Sequence, residues 1–283
     1  MSEPVDVEEL TYHVIDDRRA TRSAYALGNS KIGLGAGVYS YSKLPGRPDG
    51  AFEQLAVEHG LPAGASVGTC PGSTVECESF CYSKRIKDNG PVWDWMKENT
   101  ERGDVVPPVP KDARLVRIHI SGDFDTEKYI LSWTARIAQR PDVEFFAYTR
   151  SWRVPELLPH LEGLRSLPNI QLFASVDLSM TELPPEGWRR AWIETDPRAA
   201  LTPNEVRLEA QGEEPLGKDR EDWRRKEAKP LMPIINERGQ HVFTATGGVP
   251  SYVCPEETGR KPNCDSCGYC IRGKKNDVLF LLH

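Results

Sequence analysis

The sequence has no run of apolar residues approaching the roughly 20 that a membrane-spanning helix needs, which excludes a bilayer span. It also lacks the basic, then apolar, opening of a secretion signal: Met1-Ser2-Glu3-Pro4-Val5-Asp6 is acidic, so the expected location is the cytoplasm. Cationic excess is missing too. With 36 basic and 42 acidic residues the net charge is −6, which argues against a coat for nucleic acid while leaving room for a local basic patch. No internal repeat is visible. The glycines at 33, 35 and 37 fit neither the dinucleotide nor the P-loop spacing, and read as a lead-in to the strand Val38 to Ser42. What remains is a soluble globular composition, 39% hydrophobic and 28% charged over 283 residues, long enough for a sizeable core.

The regular part runs from Leu115 to Ser179. Leu115 to Ile120 alternates as a strand and ends in Ser121-Gly122-Asp123-Phe124, and Glu127 to Gln139 carries apolar residues at helical spacing. Val143 to Tyr148 is a second strand with Pro155 to Leu164 as its helix, and Asn169 to Val176 is a third strand, ended by Asp177. This rhythm predicts an α/β fold with a parallel sheet, open or closed into a barrel. A short helix at Leu55 to His59, closed by Gly60, and strands at Leu231 to Ile235 and Val242 to Ala245 complete the expectation. Residues 1–65 form an N-terminal arm and lead-in strand. Residues 66–250 are the α/β body, with a charged insertion near 181–229 that reads as surface helices or a segment laid over the sheet, and 251–283 are a cysteine-rich extension.

The cysteines are seven, an odd number, and fall in two groups, which in a chain without a secretion signal points to metal rather than disulfides. In Cys264-Asp265-Ser266-Cys267-Gly268-Tyr269-Cys270 two successive two-residue gaps curl the backbone so that three thiolates converge. Cys254, across nine intervening residues, closes a four-thiolate site. Both zinc and a [4Fe-4S] cluster accept four cysteines, and the continuous run is the more ferredoxin-like. The other group, Cys70, Cys77 and Cys81, leaves one position of a [4Fe-4S] cluster open for chemistry. The alternative is a zinc site completed by His59 or His119.

Ligands of parallel α/β sheets sit at the carboxyl ends of strands. There Ser121-Gly122-Asp123 offers close backbone approach and an acceptor for an ammonium group, although Asp123 or Asp125 could instead cap the following helix. Arg150, after the second strand, can pair a carboxylate or phosphate, and Asp177 follows the third, so both are candidate substrate-binding residues. Lys84, Arg85 and Lys87 add positive charge after the first cysteine loop. His119 reads as a core or lining histidine within its strand. Trp133 and Trp152 read as packing residues, with Trp152 also placed to stack on a base.

The cysteine loop with Phe80 just before its last cysteine, set ahead of βα units, resembles the radical S-adenosylmethionine superfamily. The gaps here are six and three where that superfamily usually has three and two. A closer resemblance is to the uncharacterised mycobacteriophage gene-product-eighty-eight-like family. It is carried by Asn29-Ser30-Lys31-Ile32-Gly33, Cys70-Pro71-Gly72, Cys81-Tyr82, Ser121-Gly122-Asp123-Phe124, Tyr148-Thr149-Arg150-Ser151-Trp152 and the terminal cysteine run, from about 28 to 271. Together these imply a partial (β/α) barrel of radical-SAM type. They also imply one or two [4Fe-4S] clusters, S-adenosyl-L-methionine contacted by Ser121, Gly122 and Asp123, an electron donor, and the host cytoplasm as the setting of a phage protein. The alternative is a metal-stabilised nucleic-acid-binding or host-interacting module using Arg260, Lys261, Arg272, Lys274 and Lys275. An iron–sulfur nuclease has only Asp123 and Glu227-Ala228-Lys229 behind it.

Overall fold

A computed structural model describes residues 24–48, 68–74, 77–78, 81, 83, 90–177, 180, 182, 184–193, 234–235, 241–244, 250–257, 261–272 and 277–280. The expected helix at Leu55 to His59 lies outside these residues, as do His59, Phe80, Tyr82, Lys84, Arg85, Lys87, Glu227 to Lys229, Arg260, Lys274 and Lys275. The protein is a mixed α/β chain that divides into two compact units. The first takes Leu34–Leu172 with the residues up to Gly28, and the second takes Asn29–Gly33 and Phe173–His283.

In the first unit β1 (Ala26–Leu27) pairs antiparallel with β2 (Val38–Tyr41), and β2, β3 (Leu115–Ile118) and β4 (Glu144–Thr149) run parallel. Side chains on both faces of these strands, Val116, Ile118 and Phe145 on one and Phe146 on the other, are buried. Helix α1 (Gly90–Glu101) is tied to the sheet by Asn99, whose Nδ2 donates to the carbonyls of Ala24 and Ser42. Helix α2 (Glu127–Ala138) buries Tyr129, Ile130, Trp133 and Ile137; of the apolar residues expected at helical spacing, Leu131 is only half-buried and Ala138 is exposed. Its cap is Thr126, whose hydroxyl accepts from Tyr129 N at 3.1 Å, so neither Asp123 nor Asp125 caps it. Asp125 instead pairs with the buried Lys43 at 2.9 Å.

Two further expectations are corrected here. Strand β3 stops at Ile118, because His119 turns into the left-handed region at φ 59°, a conformation that ends pairing. His119 remains a core histidine, buried with Nε2 2.9 Å from the Tyr129 hydroxyl, but at a strand end. After β4 the chain makes a 3-10 turn at Ser151–Arg153, so helix α3 (Leu158–Arg165) starts later than Pro155.

Strand β5 (Ile170–Val176) ends in the second unit, where it runs parallel to β6 (Arg189–Ile193). Strand β10 (Asp277–Phe280) inserts between β6 and β9 (Pro250–Val253), parallel to both. β8 (His241–Thr244) joins β9 antiparallel and carries β7 (Ile234–Ile235) in a hairpin. β6 lies inside the stretch expected to form surface helices or an insertion over the sheet. Its two arginines conceal a strand pattern, yet Arg189 lies 4.2 Å over the Phe173 ring and Arg190 is only 9% exposed. In the cysteine-rich segment 251–283, β10 sits within the sheet of this unit.

Candidate functional site

In the first unit the Cys70 loop is laid down by backbone hydrogen bonds. Gly68, Thr69 and Cys70 donate to the carbonyls of Arg47, Leu44 and Gly46 at 3.3, 3.1 and 2.8 Å. The loop meets the ends of two parallel strands. At β3, Asp123 N donates to Thr69 Oγ1 at 3.3 Å, and Gly122, at φ 78°, leaves room for that hydroxyl where a Cβ would come to 2.6 Å. At β4, Gly72 rests on the backbone of Arg150, and Arg153 Nη1 donates to the Gly72 carbonyl at 3.0 Å.

Asp123 bolts these pieces together. Its Oδ1 accepts from Thr149 Oγ1 at 2.6 Å and Phe124 N at 2.8 Å, and its Oδ2 accepts from Arg150 N at 2.7 Å. Burial pushes the carboxyl up to about 6, outweighing the hydrogen bonds that favour its charged form. Both oxygens are therefore engaged by the protein. Burial also pushes the Cys70 thiol up, and Asp123, Cys77, Cys81 and Glu78 push the same way, so the predicted thiols share one electrostatic neighbourhood. The loop curls to achieve this. Cys77 N and Glu78 N donate to the hydroxyl and carbonyl of Thr74, both at 3.0 Å, and Cys81 N donates back to the Glu78 carbonyl at 3.4 Å. Around the convergence, the hydroxyls of Ser73, Ser121 and Ser151 are buried and have no hydrogen-bond partner among the described residues. Of the residues expected here, Cys70, Cys77, Cys81, Ser121, Gly122, Asp123 and Arg150 all belong to this unit. Trp152, 4% exposed, is a packing residue and offers no ring face to a base.

The second unit carries the terminal cysteines. Cys264–Cys267 form helical turn α4, capped by Asn263, whose side chain accepts from Ser266 N at 2.9 Å. The turn closes at Gly268, left-handed at φ 66°, and the chain then swings to Cys270. Cys254 follows β9 and donates its N–H to Leu279 O at 2.8 Å. Burial pushes its thiol up, Glu257 and Cys270 add to that, and Lys31 acts the other way. Cys270 is thus close enough to Cys254 to act on its charge. The ligand atoms of Cys254, Glu256 and Glu257, all buried, also lie within 4.8 Å of one another. That acidic group already holds a cation, the Lys31 ammonium, 2.5 Å from Glu257 Oε1. Asp177, at the end of β5, is buried in this unit and accepts from Met180 N at 3.2 Å through its carbonyl, whereas Arg150 belongs to the other unit.

Sequence reasoning assigned no role to Asn29–Gly33. These residues lie in the second unit, where the carbonyls of Lys31 and Ile32 accept from Cys264 N and Asp265 N, each at 2.8 Å. The available signal was the Asn29 side chain, which accepts from Lys31 N and Ile32 N, the chemistry of an Asx turn.

A model of the family described as Gene product 88 matches residues 26–273, a span that takes in both cysteine groups. The chain belongs to this family. Among its relatives, the Gene 88 protein of Mycobacterium phage L5 is 25% identical over 252 residues, covering 80% of this chain and 87% of the phage protein. The Gene 88 protein of Mycobacterium phage D29 has the same identity and coverage. No solved structure matches. In this member of the Gene product 88 family, both cysteine groups are thus placed by backbone contacts rather than left in free tails.

Proposed function

We propose that this Gene product 88 protein is an iron–sulfur protein with two centres. Cys70, Cys77 and Cys81 hold a [4Fe-4S] cluster with one open position, and Cys254, Cys264, Cys267 and Cys270 hold a second, closed cluster. The first works in the manner of radical S-adenosylmethionine enzymes, on a partial (β/α) barrel, with an external electron donor. The observation that supports this best is the convergence of the Cys70 loop with the ends of β3 and β4, where three buried serine hydroxyls lack partners among the described residues. Buried polar groups of this kind ordinarily have partners, so they suit a polar bound group. The donor set fits as well, since soft thiolates select iron–sulfur clusters or zinc.

Bound there, the cluster and S-adenosyl-L-methionine would supply one-electron chemistry that generates a carbon radical. The residues of the chain do the rest. Asp123 holds the two strand ends at fixed spacing, Ser121 and Gly122 present backbone and hydroxyl to the cofactor, and Arg150 receives an anionic substrate group.

Protein purified without oxygen and assayed for iron and acid-labile sulfide tests the proposal. Two clusters are expected, with S-adenosylmethionine changing the electron paramagnetic resonance signal of only one. Colourless protein with stoichiometric zinc and no sulfide would overturn it. That outcome would favour a metal-stabilised binding module, for which the exposed Lys261 and Arg272 beside the terminal cysteines are the relevant feature.

A further inference from the structure

We infer that Lys31 is a positioning residue of the terminal cysteine centre, setting its affinity for metal through charge, and that Asn29–Gly33 is the strap delivering it. The inference rests on the reading that Cys254, Cys264, Cys267 and Cys270 ligate a metal. Three independent features join this strap to the cysteines, although it is more than two hundred residues away in sequence. The Lys31 and Ile32 carbonyls accept the first two N–H groups of the turn that begins at Cys264. Gly33 sits at φ 141°, and a Cβ there would come 2.9 Å from the Cβ of Asp265, so the strap cannot approach the turn with a larger residue. The Lys31 ammonium ends 2.5 Å from Glu257 Oε1 and 5.6 Å over the ring of Phe280 in β10. Glu257 is in turn among the groups whose ligand atoms lie within 4.8 Å of the Cys254 sulfur.

Charge makes this arrangement consequential. Four thiolates around a zinc ion or a [4Fe-4S] cluster leave a net negative site, and the carboxylates of Glu256 and Glu257 add to it where water is excluded. The ammonium of Lys31 is the opposing charge delivered to the same spot. Its attraction for thiolate sulfur and the repulsion from Glu257 therefore act on metal binding with opposite signs, even though the two residues form one ion pair. A purely structural ion pair would behave differently: losing either partner would loosen the same fold and weaken the site.

The test uses full-length protein, stripped of metal under reducing anaerobic conditions, with the first centre disabled by Cys77→Ala. Cobalt(II) is titrated in and followed by its thiolate charge-transfer absorption, while melts of the metal-free protein report on folding. Lys31→Met should weaken cobalt binding about tenfold, Glu257→Gln should tighten it by a similar factor, and Lys31→Arg should bind like the parent. Both ion-pair variants should lower the metal-free melting temperature together. The inference is overturned if both variants weaken cobalt binding in step with their melting temperatures, or if neither changes it. Should Lys31→Met fail to fold, Glu257→Gln decides alone, since unchanged or weaker binding in that variant also overturns the inference. A parent that shows no thiolate absorption at all would instead reject the metal reading on which the inference stands.

Discussion

Gly72 lies so close to Arg150 that a Cβ on the glycine would come 2.1 Å from the arginine carbonyl oxygen, well inside any real contact. The first cysteine loop is therefore seated on the end of β4 only because residue 72 has no side chain. Gly72→Ala should cost about 1–3 kcal/mol through forced backbone displacement. The variant should lose iron from the Cys70, Cys77, Cys81 centre while keeping it at the terminal one. Thermal melts and metal analysis check both parts, and full iron content in a stable variant would contradict the packing argument.

The two centres should differ in what they give the fold. A closed four-thiolate site on a short turn contributes its metal-binding free energy to folding directly. Cys267→Ala should therefore melt at a lower temperature than Cys77→Ala when each is isolated with its remaining metal, with Cys77→Ala soluble and lacking one cluster. Equal melting temperatures for the two variants would remove this distinction.

His119 supplies a pH signature. Burial, followed by the nearby Lys43 ammonium, holds its imidazole well below the ordinary histidine range, so it stays neutral in the folded protein. In the unfolded chain it titrates near 6.5, and below that pH the unfolded state binds the extra proton. Its contribution to stability is thus intact above about pH 6.5 and is lost as pH falls toward the folded-state value. Between pH 7 and pH 5 wild type should lose about 2 kcal/mol more than His119→Gln. Urea unfolding at both pH values measures this, and parallel losses would show that the histidine titrates normally.

Asp277 tests the placement of β10. Its carboxylate accepts from Arg190 N at 2.8 Å and from Trp192 Nε1 at 3.2 Å, both donors on the neighbouring β6. Asp277→Ala leaves two buried donors unpaired and should cost about 2–4 kcal/mol, with Asp277→Asn costing less because one acceptor survives. A neutral Asp277→Ala in denaturant titrations would mean that β10 is not held at this register.

The central βα units were legible because Leu115 to Arg165 repeats strand and helix periods without a conflicting signal, and the observed ends fall close to the expected ones. What was hidden was hidden for identifiable reasons. Arg189 and Arg190 make β6 look like surface, and only the aromatic faces of Phe173 and Tyr269, far along the chain, show why Arg189 can be covered. His119 continues the alternation of its strand by type, while its backbone leaves the β region. Cysteine spacing marked Cys70, Cys77 and Cys81 and Cys254, Cys264, Cys267 and Cys270 as two groups. It carried no hint of Lys31, whose partner Glu257 is 226 positions away. Asp123 was marked as chemically interesting, but its engagement by Thr149 and Arg150 depends on the two strands being neighbours, which composition does not reveal.

The insertion of β10 between β6 and β9 also bears on synthesis of the chain. Both flanking strands precede residues 277–280 in the chain, and without those residues each presents an unsatisfied row of backbone donors and acceptors on the side that β10 occupies. A nascent or truncated chain ending before residue 277 would expose two sticky strand edges in one unit. Such products should be prone to intermolecular pairing, so loss of the four residues of β10 should be far more damaging than the length removed suggests.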